Sequence, residues 1–380
     1  MNLNENGSRT GAAGAPAAGG ADRRPRFGGD SGFQKELRRR VEDYFQSTGR
    51  RPRDCPQMYL KTAAVLAWLA GTYVLLVFVA QAWWQALPLA VALGLAMAAV
   101  GLNVQHDGGH HAYSRREWVN WLAARALDLL GASSYLWRWK HGVFHHTFVN
   151  VAGHDSDIDM GFLGRLSPHQ RRLWFHRWQH LYLWPLYGFL TIKWQLFDDF
   201  RDMFVGRVGA HRVPRARGRD LVTFLGGKLV FYALAFAVPL AFRPAWAVLL
   251  WYGVASLVMG LVSAVVFQLA HCVPQAAFPL PGPCTGRIDN PWAVHQVEAT
   301  VNFARTSRLA AWLLGGLNFQ IEHHLFPQIC HVNYPALSGL VEQTCREFGV
   351  RYARHTSIAA GVAAHYRWLR YLGAADGAPP

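Results

Sequence analysis

The chain has 380 residues and a formal net charge of +15, yet only 16% of its residues are charged while 52% are hydrophobic. Soluble domains carry about 25% charged residues, so this composition excludes an ordinary water-soluble domain and, being rich in apolar side chains, a disordered chain as well. Sixteen Trp and thirteen Tyr suit a protein lying partly at a water–lipid interface.

The first thirty residues are rich in Gly, Ala and Arg, lack the apolar core of a cleavable signal, and are expected to form a disordered tail. Residues 31–380 are expected to form one membrane domain. Residues 62–106 contain no Asp, Glu, Lys or Arg over 45 positions. A span needs about 20 apolar residues, so this run holds two, 62–80 and 86–105, with a turn marked by Trp83, Trp84 and Pro88. A second pair is predicted at 223–242 and 246–270, hinged at Arg243–Pro244, with Lys228 reaching toward the headgroups from its apolar stem.

The predicted fold is an all-α integral membrane protein: four transmembrane helices in two hairpins, topped by a helical cap formed by residues 106–222 and 271–370. Arg38, Arg39, Arg40, Arg50, Arg51 and Arg53 precede the first span, and arginines between 201 and 219 precede the third, whereas the hairpin turns carry just Arg243. Basic residues gather on the cytoplasmic side, which predicts cytoplasmic termini and cap. Segments 117–137 and 180–200, apolar but interrupted by charge, read as helices lying in the membrane plane, with a re-entrant helix as the competitor.

All eighteen His lie at or beyond position 106, and none falls between 212 and 270. They belong to the cap or to the ends of spans leading into it. Three clusters have ligand spacing: His106-Asp-Gly-Gly-His110-His111, His141-Gly-Val-Phe-His145-His146 and Gln320-Ile-Glu-His323-His324. Residues i and i+4 share a helix face, so His106/His110 and His141/His145 each aim two imidazoles at one spot. His323 and His324 diverge by about 100° on a helix and so address two neighbouring metals. His271 closes the fourth span. Imidazole suits Fe, Zn, Cu and Ni alike, so spacing gives a clustered metal site of more than one ion without choosing the metal. HExxH and tandem CxxC patterns are absent. The five Cys include no CxxC, and buried packing is the expected role.

The segments HDGGHH, KHGVFHHTFVN and GGLNFQIEHHLFP resemble the three histidine boxes of the membrane fatty-acid desaturase family. The glutamine-type third box is similar to the front-end branch and its bacterial relatives, without the fused cytochrome b5 domain and its HPGG motif. The likeness covers about residues 31–370. It implies two non-haem irons held by His106, His110, His141, His145, His146, His271, His323 and His324, with O2 as co-substrate. Gln320 stands where other branches have His and is expected to bind weakly, through water, or not at all. His111 extends box one and reads better as a surface or supporting residue. His154, Asp155 and Asp157, with Asp107 and Glu322, are candidates for orienting the ligating imidazoles by accepting their second N–H, an ordinary solvated face being the competing reading.

The implied reaction removes two hydrogens from adjacent carbons of a fatty acyl chain carried by lipid, coenzyme A or a carrier protein, leaving a cis double bond. The electrons would come from a separate ferredoxin- or cytochrome b5-like protein. Trp137, Trp139, Trp194 and Phe319 are candidate tunnel residues. The basic charge is assigned to membrane lipid, acidic partners and topology in a bacterial inner membrane, and no nucleic-acid partner is expected. Two rivals remain: hydroxylation of a lipid or carotenoid on the same scaffold, and a His-rich metal transporter. The transporter sits poorly with spans that carry so few ionisable residues at mid-membrane.

Overall fold

In the computed structural model, which describes residues 24–30 and 32–374, the apolar runs become four helices long enough to cross a membrane: Pro56–Val79, Trp83–Gly109, Gly218–Leu240 and Ala245–His271. They form two hairpins. Each extends beyond its apolar window, so the second span carries His106 and Asp107 and the fourth carries His271. At about 1.5 Å per residue, the extra turns lift these histidines out of the apolar layer while keeping them on rigid helix.

The hairpin turns are closed by polar groups that water would otherwise satisfy. Gln85 Oε1 accepts from the backbone N–H of Gln81 and Ala82 (2.9 and 3.2 Å). Arg243 donates from Nε to the Val77 carbonyl at 2.8 Å, tying one turn to the other. Close helix approach depends on small residues. A Cβ at Gly94 would lie 2.5 Å from the Ala255 carbonyl oxygen, and one at Gly260 would lie 2.2 Å from that of Gly188.

The remaining elements are short helices and three two-residue strand pairs: Arg26–Phe27 with Arg287–Ile288, Arg207–Val208 with His211–Arg212, and Asn302–Phe303 with Arg354–His355. The all-α expectation therefore describes the architecture. Residues 1–23 of the expected tail lie outside the described residues. Its last part, by contrast, is built in: Phe27 stacks on Phe148 and tilts against His295. Helices Phe33–Thr48 and Tyr334–Glu347 pack through Phe33, Leu37, Val341 and Cys345 onto Ile321, beside the third histidine cluster.

Segments 117–137 and 180–200 each break into short helices rather than forming one long rod. Trp118, Leu122, Leu129, Leu181, Phe189 and Phe197 are exposed apolar residues of these segments, while Leu183 and Tyr187 pack on Ala264 of the fourth span.

Lys228 departs from the sequence expectation. Its ammonium is buried, not extended to headgroups, and donates to Asp199 Oδ2 (2.9 Å) and to the carbonyls of Gly131, Trp194 and Gln195 (2.7, 3.1 and 3.3 Å). The segment after residue 180 folds back over the span and brings the acid to it. That long-range pairing leaves no trace in local composition. Breaking a buried pair by removing one partner costs about 3–5 kcal/mol, whereas neutralising both is far milder. Lys228→Met should therefore lower the thermal unfolding temperature in detergent markedly, and Lys228→Met/Asp199→Asn should recover much of the loss. A single variant as stable as the parent would contradict the pairing.

Candidate metal centre

The second span does not run into box one as a plain α-helix. Residues Val100–Gln105 widen into a π-helical turn, and His106–Gly109 resume the α-helix. Box two lies in a longer π-helical stretch, Arg138–His145. Such insertions shift the phase of a helix and recur at functional sites. The glycines of box one admit neighbours: a Cβ on Gly109 would sit 2.2 Å from the Trp137 ring, and one on Gly108 would sit 2.6 Å from Ala123 Cβ. Box three is delivered by Gly315 and Gly316, both at positive φ. A Cβ at Gly315 would lie 2.0 Å from the Leu102 carbonyl oxygen, so this turn fits against the second span with glycine alone.

These segments bring eight imidazoles together. Potential ligand atoms of His106, His110, His141 and His323 lie within 4.8 Å of one another, as do those of His145, His271 and His324. His146 is within the same reach of His323 and His324, between the two groups. The adjacent histidines of box three thus divide between the groups. His141 and His145 each join a different one of these groups, yet their own ligand atoms also lie within 4.8 Å of one another beside Asp157, and their rings stack at 4.9 Å.

Four of the imidazoles have their outer nitrogen held. Asp157 accepts from His141 Nδ1 (3.2 Å) and Asp155 from His145 Nδ1 (3.0 Å). Gln296 Oε1 accepts from His324 Nδ1 (2.9 Å), and the Tyr334 hydroxyl lies 3.2 Å from His323 Nδ1. Keeping the proton on Nδ1 leaves Nε2 bare and directed inward. Among the described residues, Nε2 of His110, His145, His146, His271, His323 and His324 finds no hydrogen-bond partner although buried. The Nε2 atoms of His106 and His141 face each other at 3.2 Å. Buried polar atoms are almost always paired, and a ring of inward lone pairs is mutually repulsive unless cations lie among them. The donor set therefore fits metal ions.

Not every sequence candidate joins. Gln320 is buried and lines the cavity beside His106 and His141. His111 is half-exposed and pairs with Glu117 at 2.7 Å, with φ 58° turning it away from box one. His154 packs against His211 and Phe148 instead of reaching the cluster. Asp107 orients no box histidine: its Oδ2 accepts from the His331 backbone N–H at 3.2 Å and lies 2.9 Å from that ring's Nδ1. Glu322 accepts from Asn302 and Tyr352 (2.7 and 2.8 Å), pinning the start of helix Gln320–Leu325. In both cases the helix turns the carboxylate away from the face its histidine neighbours present.

Sequence reasoning missed Gln296, Tyr334 and Asn150. Asn150, at φ 59°, donates to the carbonyls of His271, Ala277 and Ala299 (2.9, 3.2 and 3.0 Å), locking the end of box two to the fourth span. The non-glycine residue in a left-handed conformation, immediately after the box, would have been the signal only with backbone angles in hand.

An apolar cavity of about 250 Å³ runs to His106, His141 and Gln320 between walls that include Trp137, Met259 and Phe267, and Trp194 lines it too. Trp139 and Phe319 lie elsewhere: Trp139 tilts against Phe144, and Phe319 faces a separate pocket.

Residues 82–356 match the family described as fatty acid desaturase. The chain belongs to the fatty acid desaturase family. It is 40% identical to an sn-1 linoleoyl-lipid 6-desaturase of Arthrospira platensis over 91% of this chain and 94% of that one. It is 36% identical to a protein of the same description from Synechocystis, over 93% and 99%, and 36% identical to an acyl-lipid (8-3)-desaturase of Physcomitrium patens, over 90% and 72%. The front-end likeness carried by the glutamine-type third box agrees with these relatives. This desaturase is therefore a membrane-protein oxidoreductase that introduces double bonds into acyl chains, and its buried histidine clusters are compatible with metal binding. The transporter reading falls away.

Burial, and then the neighbouring imidazoles, push His110, His141, His146, His323 and His324 well below the ordinary histidine value of 6.5. Burial also works against charge on His145, but Asp155 outweighs it and raises that one group. A lowered histidine stays neutral in the fold and takes a proton on unfolding, so its contribution to stability is present above 6.5 and is lost as pH falls below it. With five lowered groups against one raised, metal-free protein should lose thermal stability progressively on acidification below pH 6.5. An unfolding temperature that held or rose between pH 6.5 and 5 would contradict this electrostatic picture.

Proposed function

We propose that this desaturase places a cis double bond in a lipid-linked fatty acyl chain at a di-iron centre ligated by His106, His110, His141, His145, His146, His271, His323 and His324. The observation that carries the reading is the apolar cavity ending on His106, His141 and Gln320, where a buried hydrocarbon chain would meet the first imidazole group. The names of the cyanobacterial relatives make a linoleoyl lipid, and position 6, the first substrate and position to test.

Bound iron would supply the O2-dependent oxidation that side chains cannot perform: R–CH2–CH2–R′, O2, two electrons and two protons become R–CH=CH–R′ and two waters. The chain's own residues do the rest. Trp137, Met259 and Phe267 wall the acyl chain and keep stray water from the reacting carbons. Lys140, Asp157, Lys193 and Asp198 form the polar part of the cavity lining, suited to a headgroup outside the apolar channel. Asp155 and Asp157 fix the ring orientation of His145 and His141, and Asp155 raises the basicity of His145. Gln320 is a weak donor through its amide or a bridging water.

The electrons would come from a separate ferredoxin- or cytochrome b5-like protein. The arginines flanking the first and third spans favour a cytoplasmic cap in a bacterial inner membrane. The catalytic domain would run from the described N-terminal residues through the helix Ile358–Gly373.

Two experiments test this. A bacterial host supplied with linoleate and a co-expressed electron donor should gain a lipid with one more double bond when it makes the parent chain. With His323→Ala it should gain none, although the protein inserts normally. A hydroxylated product instead would move the reaction to the rival chemistry, and an active His323→Ala with full iron content would overturn the ligand assignment. Separately, Asp155→Asn should weaken iron affinity by about 10- to 100-fold, measured by chelator competition; unchanged affinity would remove Asp155 from the metal's support.

A further inference from the structure

Lys61 lies inside the first span, on the same helix face as Gln57, and is only 5% exposed. An ammonium has three N–H donors. One meets His331 Nε2 at 2.8 Å, and among the described residues no carboxylate lies within 4.0 Å of Nζ. The nearest compensating acid, Asp107, sits on the far side of the His331 ring. Lys61 thus presents unmatched donors to a pocket of about 240 Å³ that it lines with Gln57, Arg305, Ser307, Arg308 and Trp312.

The pocket is cationic. Arg305 is partly neutralised by Glu342 (2.7 Å) and also donates to Ser338 (3.1 Å). Arg308 has no carboxylate within 4.0 Å among the described residues. The Trp312 ring stands 5.3 Å from the Lys61 ammonium. Ser307 Oγ accepts from the Ala310 N–H (3.1 Å), which leaves its own proton free to donate.

Its position selects the ligand. The pocket opens at the cap end of the first span, flanked by the exposed apolar residues Leu60, Leu309 and Trp312. That rim belongs against hydrocarbon, with the cations just above it at headgroup depth. Segment 311–320 separates this pocket from the acyl cavity, which opens on the Leu317 and Gln320 side.

We infer that this pocket, formed by Lys61, Arg305, Ser307 and Arg308, binds the phosphate of a membrane phospholipid at a site separate from the acyl-substrate cavity. The phosphate oxygens take the free donors of Lys61, Arg308 and Ser307 as charge-assisted hydrogen bonds, and the acyl chains lie along Leu60 and Leu309. His331 then joins the occupied site to Asp107, the neighbour of His106.

The full-length protein, purified with its metal in an uncharged detergent and stripped of lipid, is titrated with short-chain phosphatidylglycerol. Diacylglycerol of the same chain length and inorganic phosphate are titrated in parallel, and binding is read by calorimetry and native mass spectrometry. One phospholipid per chain should bind saturably, and the other two ligands far more weakly. Arg308→Glu, on the surface and outside every span, should weaken phospholipid binding about tenfold or more, while Arg308→Lys keeps most of it. Lys61→Met should also abolish binding, but it removes a buried contact to His331, so the Arg308 pair decides. Equal binding by Arg308→Glu and parent, or equal binding of diacylglycerol, overturns the proposal. Inorganic phosphate binding as tightly as the phospholipid overturns the lipid assignment in favour of a free anion.

Discussion

Eight imidazoles are packed in a buried interior with their ring nitrogens converging, and much of the cap makes sense as the scaffold for that arrangement. The Nε2 atoms of His106 and His141 lie 3.2 Å apart, while those of the other six have no hydrogen-bond partner, and burial removes the water that would satisfy them. A positively charged centre turns the same geometry from a cost into a ligand shell. The fold must hold the rings close enough to bind yet prevent their relaxing apart, so each outer nitrogen that is fixed matters as much as the bare one.

The fixing comes from several directions. Rigid spans carry His106 and His271, the two imidazoles most firmly placed by helix alone. Box two is stiffened by its own acids, Asp155 and Asp157, ten and sixteen residues beyond the histidines they hold. Box three depends on partners from other elements, Gln296 and Tyr334, and on the glycine turn that presses it against the second span. Asp107, His331 and Lys61 add a buried chain joining box one, the segment after box three and the first span. An error in one element is therefore felt across the two imidazole groups.

The spans and the histidine boxes were legible because each is local: an uncharged run of 45 residues, or two histidines four apart, needs no knowledge of what lies across the fold. The division of His323 and His324 between the two groups was legible from the angle between adjacent helical positions. His141 and His145 stay within ligand reach of one another although the stretch that carries them is π-helical. Lys228 with Asp199 and Lys61 with His331 were invisible because the partners lie 29 and 270 residues away. Glu322 and Asp107 sit beside ligand candidates in sequence, yet helix geometry points them elsewhere. Of the acids close in sequence to ligand candidates, Asp155 and Asp157 hydrogen-bond box histidines because their segment folds back onto box two.

The most direct measurement is an anaerobic titration of ferrous iron into the metal-free protein, followed by iron X-ray absorption of the loaded sample. Two equivalents should bind tightly, with a first shell of nitrogen and oxygen showing imidazole scattering and no sulfur. Saturation at one equivalent, or a shell without imidazole, would contradict the two-group arrangement of the eight histidines.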